Sequence, residues 1–134
     1  LALSVTPVAH ALMREFWPGP LTIVFRARRA LHPFLLGPTG SVAIRIPDSR
    51  FCLNVIRESG LPLVSTSANL SGSPIPPDHK ELIGLFGASA DLLIDAGDLP
   101  HNLPSTLVDL AGATPSILRE GAVSRKELAR FLLL

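Results

Sequence analysis

Residues 16–25 read Phe-Trp-Pro-Gly-Pro-Leu-Thr-Ile-Val-Phe. Pro18-Gly19-Pro20 ends any helix that precedes it, because proline lacks an amide hydrogen and its ring clashes with the helical backbone. Leu21-Thr22-Ile23-Val24-Phe25 is apolar and rich in β-branched residues, which favours a buried strand. This segment therefore predicts the end of a helix, a tight loop and a strand in direct succession.

The residues before this segment supply the helix. Thr6-Pro7 opens it, since threonine caps helices and proline is tolerated at the first helical position. Val8, Leu12 and Phe16 recur at helical spacing and form an apolar stripe. The stripe predicts a helix that packs against the sheet.

The residues after the segment alternate between strand and helix patterns. The predicted strands cover residues 41–46, 61–66, 92–95, 106–110 and 116–119. The predicted helices run from Pro47-Asp48 to Gly60, over 78–86, and from Ser124, where Glu127 has the capping-box spacing. Polar loops are expected over 67–77 and 96–104. The alternation predicts an α/β layered domain around a largely buried sheet.

Length and composition indicate one domain with a substantial core. The chain has 134 residues, of which 47% are hydrophobic and 17% are charged. We expect residues 1–134 to form a single domain, because this length leaves no room for two independent cores. The formal net charge is only +1, whereas a protein built to coat a polyanion carries a clear excess of basic residues.

Disulfide and metal chemistry are not indicated. A single cysteine, Cys52, cannot form an internal disulfide, and we expect it to be a packing residue. The four histidines lack metal-ligand spacing: His10, His32, His79 and His101. Leu1–Ala9 has no basic start or long apolar run, and no apolar stretch reaches the roughly 20 residues that span a bilayer. We therefore expect a cytoplasmic protein with no membrane partner.

The loop Ser65-Thr66-Ser67-Ala68-Asn69-Leu70-Ser71-Gly72 is the first candidate site. It follows a predicted strand, and ligands of open α/β sheets bind at the carboxyl ends of strands. Its hydroxyl, amide and backbone N–H groups suit phosphates and carboxylates. The alternative is an ordinary polar turn.

Two arginines are the second candidate. Arg45 lies in an otherwise apolar strand pattern, and its planar fork suits a carboxylate. Arg119 ends the pattern of residues 116–119 and suggests the same role. The alternative for both is a solvated edge-strand arginine. We expect Arg26, Arg28 and Arg29 to form a solvated basic face.

Four segments, taken in order, resemble the YrdC/Sua5/YciO family of threonylcarbamoyl-AMP synthases. They are residues 16–22, 42–48, 62–72, and 105–109 with 117–121. The pair Pro-Gly-Pro-Leu-Thr and Ser-Ala-Asn-x-Ser-Gly, with the Arg45 strand between, is the specific part. The resemblance implies a YrdC-like fold, a twisted, mixed, largely buried sheet flanked by helices in three open layers.

The resemblance also implies a reaction. Family members combine L-threonine, bicarbonate and ATP into threonylcarbamoyl-AMP and release pyrophosphate. Other enzymes then transfer the threonylcarbamoyl group to adenosine 37 of tRNA. The implied partners are thus L-threonine, bicarbonate, ATP with Mg²⁺ on its phosphates, the transfer enzymes and tRNA. Catalysis would rest on positioning and charge stabilisation, with no protein nucleophile and no protein-bound metal.

Matching positions carry the implied roles of individual residues. Arg45 would hold the threonine carboxylate, and Ser65 would also face the threonine. The residues implied for the ATP site are Ser41, Ser67, Asn69 and Arg119, with Asn69 helping to order its loop. Ile75 stands where many relatives have a serine near the nucleotide, so one ATP contact is expected to be lost.

The chain departs from the family pattern upstream. The Pro-Thr-[Asp/Glu]-Thr-x-Tyr-Gly-Leu and Lys-x-Arg segments, which precede the Pro-Gly-Pro loop in relatives, are not found here. We therefore expect an N-terminally truncated domain that exposes apolar sheet surface and is inactive or self-associating by itself. Two other functions stay open, an RNA-binding YrdC-like module and a paralogous carbamoyl-transfer domain with another substrate.

Overall fold

A computed structural model describes residues 1–97 and 103–132. Within these ranges the α-helices are α1 Pro7–Phe16, α2 Arg50–Ser59, α3 His79–Phe86 and α4 Arg125–Leu128. The strands are β1 Leu21–Arg26, β2 Ser41–Ile44, β3 Thr106–Asp109 and β4 Ser116–Arg119. No helix in this part of the chain is long and apolar enough to cross a membrane. His101 and most of the second predicted loop, 98–102, lie outside the described residues.

The chain divides into two compact units. The first comprises Leu1–Gly60 and Asn102–Leu134, and the second is Leu61–His101. The first unit holds a four-stranded sheet in the order β2-β1-β3-β4. β1 and β3 are parallel, whereas the β1–β2 and β3–β4 pairs are antiparallel. The predicted mixed α/β sheet with flanking helices is thus confirmed.

The core lies on one face of this sheet. Side chains alternate along a strand, so Leu21, Ile23 and Phe25 of β1 point the same way, and they are 0%, 0% and 4% exposed. Leu12 from α1 and Leu128 from α4 pack into the same cluster, and both are fully buried. The apolar stripe of α1 and the alternation of β1 therefore cover each other.

The helix caps predicted from the sequence are present. Thr6 Oγ1 accepts a hydrogen bond from the Ala9 amide at 3.2 Å, and Pro7 takes the first helical position of α1. At α4 the Glu127 amide donates to Ser124 Oγ at 3.3 Å and the Ser124 amide donates to Glu127 Oε2 at 2.9 Å, which completes the capping box. The Ser124 hydroxyl also donates to Glu127 Oε2, at 2.6 Å. The bonds from the Ser124 hydroxyl and amide lower the pKa of the Glu127 carboxyl.

Two of the predicted strands are wrong. Residues 61–66 and 92–95 form no strand, and large apolar side chains there are exposed, with Val64 at 73% and Leu92 at 78%. An apolar run becomes a strand only when a neighbouring strand completes its backbone hydrogen bonds. β2 also ends at Ile44 instead of Ile46, because the Ile46 carbonyl accepts from the Gly19 amide in the preceding loop.

Candidate functional site

The strand register places polar residues on the face opposite the core. Thr22 and Leu107 are partners across β1 and β3, and Leu107 in turn faces Arg119 of β4. Paired residues share a face, so Thr22 and Arg119 lie on one side of the sheet. Ser41 pairs with Arg26 on this same side. We call this side the ligand face, because the sequence predicts ligand contacts from Ser41 and Arg119.

The Pro18-Gly19-Pro20 loop holds Arg45, which directly follows β2. Arg45 Nε donates to the Gly19 carbonyl at 2.8 Å, and the Gly19 amide donates to the Ile46 carbonyl at 2.8 Å. A side chain at Gly19 would collide with the Phe16 carbonyl, so glycine is required for this close approach. The loop thus binds Arg45 through Nε and leaves the outer edge of its guanidinium available to a ligand.

Ser105 holds Arg119 in a similar way. Arg119 Nε and Nη2 donate to the Ser105 carbonyl at 3.2 and 2.9 Å, and Nη2 also donates to Ser105 Oγ at 3.2 Å. Ser105 Oγ lies 2.8 Å from Thr22 Oγ1. Ser105 is 9% exposed, whereas Arg119 is exposed. The arginine therefore presents a charged group to solvent from a fixed, buried support.

The next residue, Thr106, fastens the segment that follows Arg119. Its hydroxyl is fully buried, donates to the Val123 carbonyl at 2.6 Å and accepts from the Gly121 and Val123 amides at 2.9 and 3.0 Å. A side chain at Gly121 would collide with the Pro104 carbonyl. Arg119 is thus held in two ways. Ser105 binds its side chain, and the hydrogen bonds of Thr106 fix the backbone that follows it.

Ser41 lies at the other end of β2. Its hydroxyl is buried and accepts from Thr39 Oγ1 at 3.1 Å. Arg45 lies four positions after Ser41, which is roughly 13 Å along a strand. The structure therefore brings Arg45 and Arg119 to the end of the sheet where β1 and β3 begin, and Ser41 to the opposite end.

The other predicted residues, Ser65, Ser67 and Asn69, belong to the second unit. Asn69 Nδ2 donates to the Leu70 and Ser73 carbonyls at 3.0 and 2.8 Å, which closes the loop. Asn69 Oδ1 is buried and has no hydrogen-bond partner in the described chain. Ser65 and Ser67 are exposed. The sequence predicts these residues at the end of a strand. They lie instead on an exposed loop, because residues 61–66 form no strand.

The electrostatics of the ligand face favour anions. In the described part of the chain, neither Arg45 nor Arg119 has a carboxylate within ion-pair distance. A guanidinium without a carboxylate partner is suited to carboxylates and phosphates. Within residues 1–97 and 103–132, no group of three or more His, Cys, Asp or Glu side chains could hold a metal ion.

Sequence reasoning did not single out Thr22 or Ser105. The hydroxyls of these two residues meet although 83 positions separate them in the chain. One local signal was available for Thr22, because it is the polar residue inside the apolar run of residues 21–25. A hydroxyl in such a strand points away from the core and needs a partner on the other face.

Comparisons with known proteins identify the family. The family model for Sua5/YciO/YrdC domains, described as "Telomere recombination", matches residues 1–121. The chain is 36% identical over 121 residues to the threonylcarbamoyl-AMP synthase of Bacillus subtilis (strain 168), covering 90% of this chain and 35% of that protein.

Two solved structures are similar in fold. The crystal structure of Pyrococcus abyssi Sua5 complexed with L-threonine has a TM-score of 0.88 and 31% identity over 98% of this chain and 38% of that one. The crystal structure of E. coli YciO has a TM-score of 0.79 and 29% identity, with coverages of 92% and 61%. The chain thus spans between about a third and three fifths of the length of these relatives. Since the family model matches residues 1–121, which is most of the chain, the chain belongs to the Sua5/YciO/YrdC family.

Proposed function

We propose that the protein carrying this chain is an L-threonylcarbamoyladenylate synthase. The observation that carries the proposal is the pair Arg45 and Arg119, two anchored guanidinium groups at one end of the sheet. Among the described residues, neither group has a carboxylate partner. The substrates of the proposed reaction carry one carboxylate and one triphosphate, which is the charge pattern that two such arginines suit. The name of the B. subtilis relative and the L-threonine bound to P. abyssi Sua5 agree with it.

In the proposed reaction, threonine and bicarbonate form a carbamate with loss of water. A carbamate oxygen then bonds to the α-phosphorus of ATP, the bond to the β-phosphate breaks, and pyrophosphate leaves. The product is threonylcarbamoyl-AMP, which the transfer enzymes use to make N6-threonylcarbamoyladenosine at position 37 of tRNA. This role would place the protein in the cytoplasm.

The chain's own residues would bind and orient the reactants. Arg45 would hold the threonine carboxylate through the outer edge of its guanidinium, with Ser65 facing the same substrate. Arg119 would neutralise phosphate charge, and the other ATP contacts would come from Ser41, Ser67 and Asn69. Mg²⁺ would enter with the phosphates of ATP. Arg119 would need no reorganisation to lower the barrier as charge moves to the leaving pyrophosphate, and Arg45 would hold the threonine in position.

The test is an assay of the full-length gene product with L-threonine, bicarbonate and ATP. Mass spectrometry should detect threonylcarbamoyl-AMP, and calorimetry should detect threonine binding. Arg45→Ala should weaken threonine binding by about tenfold or more, since it removes a charged hydrogen-bond donor. The matched control is Arg57→Ala, because Arg57 is an exposed arginine paired with Glu58, and this variant should behave as wild type.

The same assay distinguishes the proposed synthase from a paralogue that acts on another small anion. The similarity to YciO keeps this alternative open. A folded protein that makes no threonylcarbamoyl-AMP and does not bind threonine would overturn the proposed activity. RNA binding that weakens steeply with salt, in the absence of adenylate formation, would instead identify an RNA-binding module.

A further inference from the structure

Arg119 relies on Ser105 for its orientation. In the described chain, the side-chain hydrogen bonds of Arg119 all go to Ser105, two to the carbonyl and one to Oγ. An exposed arginine without such contacts samples many rotamers. This weakens the binding of any ligand that requires one particular rotamer. The Ser105 carbonyl accepts two of these bonds, and the direction in which Ser105 Oγ points decides whether the third one forms.

Thr22 determines where Ser105 Oγ points. A guanidinium only donates hydrogen bonds, so Ser105 Oγ accepts from Arg119. The second partner of this oxygen is Thr22 Oγ1, at 2.8 Å. A serine has three staggered rotamers, and the two contacts together select one. Without the Thr22 hydroxyl, only the contact with Arg119 would hold Ser105 Oγ in this rotamer within the described chain.

Thr22 is itself rigid. It lies in β1, which forms hydrogen bonds with β2 on one side and β3 on the other. Its β-branched side chain is restricted in χ1. Thr22, Leu107 and Arg119 form one row across three strands on the ligand face. A rigid element thus lies at the base of the contact chain that leads to the exposed guanidinium.

We propose that Thr22 is a positioning residue that holds Arg119 in its ligand-binding orientation through the Ser105 hydroxyl. The inference rests on the proposed function, in which Arg119 contacts ATP. Thr22 lies on the face opposite Leu21 and Ile23 and does not belong to the core cluster. Valine keeps its shape and favours the extended backbone, so Thr22→Val removes the hydroxyl with little change in packing.

The first experiment compares Thr22→Val and Thr22→Ser in the full-length gene product. Thr22→Val should raise the ATP Kd and the KM for ATP by about three- to ten-fold, the effect of one hydrogen bond. The KM for threonine should stay unchanged, and Thr22→Ser should restore ATP binding. The matched control is Thr114→Val at an exposed turn, which should leave both constants unchanged. Equal ATP constants in Thr22→Val and wild type would overturn the proposal.

A double-mutant cycle tests whether the effect passes through Arg119. In an Arg119→Ala background, Thr22→Val should cause no further loss of ATP affinity. A loss as large as in the wild-type background would show that Thr22 acts by another route, and the proposal would fail.

A third measurement does not depend on the reaction. In the ligand-free protein, the NMR signal of the Arg119 Nη2 group, which donates to Ser105 Oγ, should exchange with water faster in Thr22→Val than in wild type or Thr22→Ser. An unchanged signal in Thr22→Val would overturn the positioning role even in an active enzyme. If no variant, wild type included, binds ATP, the proposed function fails, whereas this signal still decides whether Thr22 orders Arg119.

Discussion

Thr106 shows how one hydroxyl can join two distant parts of the chain. It begins β3, is fully buried, and makes its three hydrogen bonds to the backbone of Gly121 and Val123. A buried polar group is tolerated only when it is paired. Here both lone pairs of the hydroxyl accept hydrogen bonds and its hydrogen is donated. The segment between β4 and α4 consequently has one position relative to the sheet.

Thr106→Val should therefore destabilise the protein by about 3 kcal/mol, because it leaves two amides and one carbonyl unpaired in the core. Thr106→Ser keeps the hydroxyl and loses a methyl group, and should cost about 1 kcal/mol. Urea unfolding monitored by circular dichroism measures both values. Equal stability of the two variants would contradict the importance of the hydroxyl.

Residue chemistry made part of the candidate site predictable. The sequence indicates Arg45 and Arg119 as candidates because a charge in an apolar strand needs a partner or a ligand. Thr22 and Ser105 could not be paired from the sequence, since β1 and β3 meet only through the parallel register of the folded sheet. The roles toward ligands remain predictions for all six candidate residues: Ser41, Arg45, Ser65, Ser67, Asn69 and Arg119.

At the scale of elements, α4 is a short helix whose start is stabilised by its capping box. The Ser124 hydroxyl and amide both donate to Glu127, and these bonds favour the ionised carboxylate. The pKa of Glu127 is lowered, first by the hydroxyl, then by the amide, with a smaller contribution from Arg130. The folded state therefore binds this proton less readily than the unfolded state does.

The sign of the pH effect follows from this lowered pKa. The stabilisation by Glu127 is fully present above the ordinary pKa of a glutamate and is lost as the pH falls through the lowered value. Glu127→Gln keeps the capping geometry but does not titrate, so its stability should change less between about pH 6 and about pH 3. Urea midpoints across this range measure the difference. Ser124→Ala, which removes the hydroxyl donor, should flatten the profile as well, and identical profiles in all three proteins would contradict this account.

Elements with local signals were predicted well. The stripe and cap of α1 and the β-branched run of β1 are contained in contiguous residues, so the sequence indicates both. Residues 61–66 and 92–95 have equally apolar composition, but composition does not supply the neighbouring strand that a ladder needs. The strand order β2-β1-β3-β4 is a property of long-range pairing and could not be deduced from the alternation of patterns.

At the scale of the whole molecule, the sheet and the segments outside it should differ in local stability. β1 and β3 are paired on both sides, so their amides open only in large unfolding events. Residues 62–66 and 92–95 are exposed and form no strand. Hydrogen exchange measured by mass spectrometry should show slow exchange in β1 and β3 and fast exchange in these two segments. Protection of 62–66 equal to that of β1 would reveal a ladder that the structure lacks.

The division into two units bears on the expectation of a single domain. Each unit is compact in its own contacts, while the chain length and the family match extend across both. Several large apolar side chains of the second unit are exposed, among them Leu61, Leu63 and Val64. Surfaces of this kind promote association, so the self-association expected from the sequence stays a prediction.

The alternation along β1 affects what happens to molecules in which this strand pairs in the wrong register. Leu21, Ile23 and Phe25 enter the core, while Thr22 between them serves the ligand face. A shift of one residue in strand register exchanges the two sets completely. Misaligned molecules would then show three apolar side chains to water, where chaperones and proteases remove them. Soluble copies with a shifted β1 should therefore not accumulate, and the soluble fraction of a preparation should be uniform in the register of this strand.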